Sequence, residues 1–155
     1  MFRDQGRFAS ALGALERREF AAAEAAFSEF LAQLALESGE RAFLLNKRGV
    51  ARIGLERRDR ARDDFIAALE TRPAFAPALT NLGNLLLDEG DVEGAIGRYE
   101  SAIAADRDYA LAYFNVSVAY KRTGRFAEAV RALRQAQRIE QRANAASSWR
   151  RARPR

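Results

Sequence analysis

Two asparagines, Asn81 and Asn115, recur at a spacing of 34 in the chain, and each side chain offers one amide donor group and one acceptor. Two such amides in register are able to hold the main chain of an extended peptide whatever its side chains are. A second set is cationic. Arg131, Arg134, Arg138 and Arg142 recur at 3-4-4 spacing, one stripe of a helix, and Trp149-Arg150-Arg151-Ala152-Arg153-Pro154-Arg155 extends it. Arginines so placed can contact phosphates or an acidic partner, and Trp149 can stack on a base. The same stripe also fits the solvated outer face of a terminal helix, and that reading is favoured over nucleic acid.

Other chemistry is excluded by what the chain lacks. It has no histidine and no cysteine, which removes the commonest general base, thiolate nucleophiles, Cys/His zinc sites and disulfides. No Gly-rich phosphate loop, metal-ligand cluster or serine elbow is present. Asp63-Asp64 and Asp88-Glu89 are adjacent pairs whose side chains diverge on a helix, so neither makes an acid/base dyad, and charged helix faces account for them. The expectation is a non-catalytic protein with no cofactor and no metal. No run approaches the roughly 20 apolar residues of a membrane span, and Met1-Phe2-Arg3-Asp4-Gln5-Gly6-Arg7 does not read as a signal peptide. A cytoplasmic location with no membrane insertion follows as an expectation, and the absence of cysteine fits a reducing compartment. The net charge of +5 is uneven: positions 121–155 hold eleven basic side chains against Glu128 and Glu140, and positions 1–120 hold 15 basic against 19 acidic.

The elements that must position these groups are helices. Ala, Leu, Arg and Glu dominate and there are three prolines, which favours helix nearly throughout. With 155 residues and 48% apolar content, one domain over 1–155 is expected. Aligned against itself, the chain repeats with a period of 34. Gly49, Gly83 and Ser117 coincide, as do Leu45, Leu79 and Tyr113; so do Ala61, Ala95 and Ala129, Phe65, Tyr99 and Leu133, and Ala68, Ala102 and Ala136. Ala95–Tyr99–Ala102 is a 4-then-3 spacing, one helical face, and Leu79, Leu82, Gly83 and Leu86 form the matching stripe of the helix before it. Gly90 and Gly124 sit where that first helix must stop and turn, and Pro73 closes the first unit.

Asn81-Leu82-Gly83-Asn84, Gly90-Asp91, Ala95-Ile96, Tyr99 and Ala102-Ile103 resemble the signature of the tetratricopeptide repeat. The resemblance implies an all-α fold, a right-handed superhelix of stacked antiparallel helix pairs. About three full repeats, at 42–75, 76–109 and 110–143, follow an N-terminal helical hairpin. That hairpin, 8–36, is either a degenerate repeat at an offset of 38 or a simple cap, and 144–155 is a basic tail or a short cap. Departures from the pattern are Arg48 and Arg52, where the second repeat has Leu82 and Leu86, and Glu56 in place of the turn glycine. They predict looser packing of the first repeat against its N-terminal neighbour, with the arginine stems covering apolar surface.

The resemblance implies no single function beyond holding another protein. It places a groove on the first helices, lined by Phe43, Asn46, Lys47, Val50 and Ile53, by Thr80, Asn81, Asn84, Leu87 and Asp88, and by Phe114, Asn115, Val118, Lys121 and Arg122. The family's clamp for a C-terminal carboxylate is not assembled: Asn81 fits one slot, but Val50, Leu111 and Asn115 stand where Asn, Lys and Arg are needed. The expected function is a scaffold or adaptor that takes an extended or helical partner segment with apolar anchors. The alternatives are self-assembly into a homo-oligomer through an open C-terminal end carrying Val130, Leu133 and Ile139, and weak binding of nucleic acid or an acidic partner at the basic end.

Overall fold

The computed structural model describes residues 5–33 and 35–152 and contains helices and no strand among them. A short 3-10 turn at Gln5–Phe8 leads into α1 (Ala9–Glu16) and α2 (Phe20–Gln33). Then follow α3 (Ser38–Gly54), α4 (Arg58–Thr71), α5 (Ala76–Asp88), α6 (Val92–Ala105), α7 (Ala110–Arg122) and α8 (Phe126–Ala152). Two compact units divide within α5, one running to Asn81 and the other from Leu82 onward.

In the first unit, Phe8, Ala11, Ala14, Ala23, Phe27, Leu44 and Ala51 form one buried cluster drawn from the 3-10 turn, α1, α2 and α3. Small residues on one helix let rings on its neighbours approach. A Cβ on Gly49 would lie 2.5 Å from the Phe65 ring, and one on Gly54 the same distance from Phe20. α3 starts with a capping box, in which Glu37 and Glu40 satisfy each other's backbone N–H. Its end is unusual. Glu56 adopts φ +60, the conformation that Gly90 and Gly124 supply in the later turns, and Arg18, its counterpart at the offset of 38, does the same at φ +62. The two turns thus share a backbone solution although neither carries a glycine.

Arg48 and Arg52 do not loosen this unit. Arg48 forks onto Asp64, with Nη2 donating to Oδ1 at 2.6 Å and Nε to Oδ2 at 3.0 Å, and Nη1 donates to the Ser28 hydroxyl at 3.3 Å. Arg52 donates from Nη1 to Asp64 Oδ2 at 2.8 Å and from Nε to Glu24 Oε1 at 2.9 Å, and Arg57 completes the set on Glu24. Asp64 is only 3% exposed, so it is an interior anchor joining α3 to α4 and not part of a charged outer face. The expectation of looser packing is corrected by this network, which ties α2, α3 and α4 together through charge where the next repeat uses leucines.

In the second unit, Ala95, Ile96 and Tyr99 of α6 pack with Val116 and Ala119 of α7 and Ala132 of α8. A Cβ on Gly83 would lie 2.5 Å from the Tyr99 ring, which is why the repeat alignment shows a small residue there. The Asp91 side chain accepts from Gly94 N–H at 2.9 Å and caps α6. α8 continues as one helix from Phe126 to Ala152, so residues 142–152 do not fold back as a cap. Ile139 is buried on the inner face of α8, contrary to its assignment to an open end, whereas Val130 and Leu133 are exposed. Residues 140–148 are exposed on every side of the helix.

Candidate functional site

Each unit carries a pair of asparagines joined side chain to side chain. In the first, Asn81 Nδ2 donates to Asn46 Oδ1 at 2.9 Å, and Asn46 is buried. Lys47 and Val50 are half-buried on α3, with Lys47 Nζ 5.4 Å above the Phe43 ring. In the second, Asn115 Nδ2 donates to Asn84 Oδ1 at 2.8 Å, and the Tyr99 hydroxyl donates to the same oxygen at 2.8 Å. Asn81 and Asn115 thus both use one amide proton within the fold. They are not free-standing ligand hooks, but neither is exhausted.

The geometry of the second pair decides what it can offer. The Asn84 carbonyl receives two donors, so its orientation is fixed and its amide nitrogen is left without a protein partner among the described residues. Asn115 is turned so that its Oδ1 is likewise unpartnered among them. The pair therefore keeps one amide donor on Asn84 and one carbonyl acceptor on Asn115 without a protein partner among the described residues. Burial pushes the Tyr99 phenol up to about 12, with Asp88 adding to the shift and Arg122 opposing it, so the hydroxyl stays protonated and keeps donating.

Around the pair, Leu87 and Val118 are half-buried, and Lys121 and Arg122 are exposed at the end of α7. Arg122 Nη1 donates to the Leu87 carbonyl at 3.3 Å, in the last turn of α5, where a cation also complements the helix dipole. Thr80 and Asn46, placed in the groove by the sequence, are buried instead, and Thr80 Oγ1 has no hydrogen-bond partner among the described residues. Phe114 occupies the same register position as these two but is 50% exposed, against 0% for Thr80. The link from Asn84 to Tyr99 was missed by sequence reasoning. Its signal was that Tyr99 alone, among Phe65, Tyr99 and Leu133, carries a hydroxyl.

The basic stripe stands apart from the amides. Arg131, Arg134, Arg138 and Arg142 are exposed along α8, and Arg142 lies 3.8 Å from Asp108. Arg125 is 4.4 Å above the Tyr120 ring and pairs with Glu128 at 2.6 Å. The side chains of Trp149, Arg150 and Arg151 lie outside the described residues. No group of three or more acidic side chains able to hold a metal occurs among the described residues, and no helix there is long and apolar enough to cross a membrane.

Comparison with known proteins agrees with this architecture. A TPR repeat model matches residues 83–124, and a tetratricopeptide repeat model matches 110–142. The crystal structure of MamA is similar over 87% of this chain and 77% of its own, with TM-score 0.69 and 21% identity. The first TPR of Spaghetti (RPAP3), bound to the HSP90 peptide SRMEEVD, is similar over 66% of this chain and 81% of its own, with TM-score 0.61 and 20% identity. The second TPR of the same protein, bound to the same peptide, gives TM-score 0.61 and 20% identity over 65% of this chain and 88% of its own. Repeat models over residues 83–142 show that the second half of this chain carries tetratricopeptide repeats, and the solved structures share its fold over most of its length.

Proposed function

We propose that the protein is a non-catalytic interaction module that holds an extended segment of a partner on its first-helix amides, with Asn84 and Asn115 as the best-formed contact. One observation carries this reading: the Asn84 carbonyl, saturated by Tyr99 and Asn115, leaves an amide donor and a neighbouring carbonyl acceptor unpartnered among the described residues. A peptide backbone presents the complementary acceptor and donor at every residue, so such a pair binds main chain and leaves specificity to its surroundings. Leu87 and Val118 supply apolar contact, and Lys121 and Arg122 favour acidic side chains. In the other unit Asn81, Lys47 and Val50 offer a similar but smaller set.

The structural neighbours from Spaghetti hold an acidic peptide, which agrees with peptide capture as a use of this fold. Capture of a terminal carboxylate by the same means is not proposed, because Val50, Leu111 and Asn115 replace the side chains that clamp requires. The test is a peptide-display selection against the full chain, followed by affinity measurement for the selected peptides. Asn115→Ala should weaken their binding about tenfold, the effect of losing one well-placed hydrogen bond to a desolvated backbone. Peptides that bind the variant and the wild type equally would overturn the assignment.

A further inference from the structure

Inside each unit the same contact recurs: a second helix is covered by the first helix of the following pair. Ala23 and Phe27 of α2 share a buried cluster with Leu44 and Ala51 of α3, and Ile96 and Tyr99 of α6 share one with Val116 and Ala119 of α7. One repeat period further along from α6, Val130 and Leu133 of α8 take the positions of Ile96 and Tyr99. They are 46% and 38% exposed, where Ile96 and Tyr99 are 3% and 0%. Phe126, a turn earlier on the same stripe, is 63% exposed. α8 therefore presents one half of the recurring contact with nothing upon it among the described residues.

The other half lies on α1, where it is uncovered among the described residues. The offset of 38 that relates Arg18 to Glu56 relates Ser10 and Gly13 to Arg48 and Ala51, the register of Val116 and Ala119 in α7. Ser10 is exposed and Gly13 half-exposed, and a Cβ on Gly13 would meet only the tip of the Arg17 side chain, at 3.1 Å. This small, open face has room for large side chains to seat against it. Charge agrees with the pairing. Positions 8–40 hold six acidic and two basic side chains, with Glu16, Glu19 and Glu29 exposed; positions 125–152 hold seven basic and two acidic. The same charges oppose an α8-to-α8 dimer, which would face arginine with arginine.

We propose that the free face of α8, formed by Phe126, Val130 and Leu133, docks onto α1 of a second copy of this chain, continuing the helix-pair register from one molecule into the next. The contact is heterologous, so each added copy exposes a fresh α8 face and the product is an open chain of molecules. Few side chains are involved, so the association is weak and reversible, at the small end of protein interfaces. It is independent of the amide site described above.

Sedimentation velocity on the full chain over a range of concentrations tests it. The wild type should sediment faster as concentration rises, and added salt should reduce the effect. Val130→Glu with Leu133→Glu changes only exposed positions and should give a folded monomer, verified by circular dichroism. Ser10→Arg with Gly13→Arg should do the same from the other side. Mixing the two variants restores one intact α8 face and one intact α1 face, so it should give a one-to-one dimer that grows no further. A wild type that stays monomeric at every concentration overturns the proposal. So does an assembly that survives the α1 variant, since that would be a symmetric contact, or a mixture of the two variants that remains monomeric.

Discussion

Truncation of Asp64 tests whether the arginine network holds the first unit together. Asp64→Ala removes an acceptor that is 3% exposed and takes four charged bonds, at 3.3, 3.0 and 2.6 Å from Arg48 and 2.8 Å from Arg52. Removing one partner of a buried ion pair costs about 3–5 kcal/mol, because the remaining charge loses its compensation. Here the loss belongs at the lower end. The Arg48 and Arg52 side chains keep 19% and 15% exposure, which lets water reach them, and Arg52 retains Glu24. About 3 kcal/mol, at roughly 2–4 °C per kcal/mol for a chain of this size, predicts a fall in Tm of about 6–12 °C. Urea and thermal unfolding followed by far-UV circular dichroism measure it. Because the network is interior, the loss should be the same at low and high salt. Adding Arg48→Leu, which restores the residue type of the second repeat, should recover part of it, since an apolar replacement of a buried pair is close to neutral. A variant within about 1 kcal/mol of wild type, or a loss that disappears in high salt, would show that the network is a screened surface cluster and refute the reasoning.

Two further outcomes follow from single groups. Glu56→Gly relieves a left-handed backbone at φ +60 and should raise stability by about 0.5–1 kcal/mol, read as a higher urea midpoint; a lower midpoint would show that the Glu56 side chain matters more than its backbone. Tyr99 is pushed up to about 12 by burial, and Tyr120 also reaches about 12, through burial and then its 2.6 Å hydrogen bond to Glu100. The unfolded chain releases these protons first, near the ordinary value of about 10, so stability is full below that pH and falls as pH rises toward 12. Phenolate absorbance during an alkaline titration should show late-titrating tyrosines, and stability unchanged between those pH values would contradict the burial.

The helical fold was legible because its rules are local. Ala95–Tyr99–Ala102 and the recurrence at a period of 34 fix which faces pack, and Gly90 and Gly124 do occupy positive-φ turns. The ion network was not legible, because Arg48 meets Asp64 across 16 residues and no periodicity says which arginine of 24 finds which acid. The continuation of α8 was legible but overlooked: Ala143-Asn144-Ala145-Ala146 contains no breaker, and the next proline is Pro154. The asparagine pairs were half legible. Their residue type announced hydrogen bonding, but that Asn84 is oriented by Tyr99 depends on the distance between α5 and α6, which only packing sets.

Phe114 is where one register position changes meaning along the chain. Its counterparts Asn46 and Thr80 are interior, yet Phe114 is half exposed, so register alone does not fix its surroundings. The family resemblance places it in a ligand groove; its exposure on α7, the helix packed against α8, also leaves it open to the proposed second copy. The two assignments separate under one substitution. Phe114→Glu should suppress concentration-dependent sedimentation much as the α8 variant does, while peptides selected on the wild type keep their affinity within about twofold, less than about 0.5 kcal/mol. Asn115→Ala should do the reverse, leaving association intact and weakening the peptides. If Phe114→Glu instead abolishes peptide binding and leaves sedimentation unchanged, the aromatic side chain anchors a ligand, and the end face must be redrawn around α8 alone.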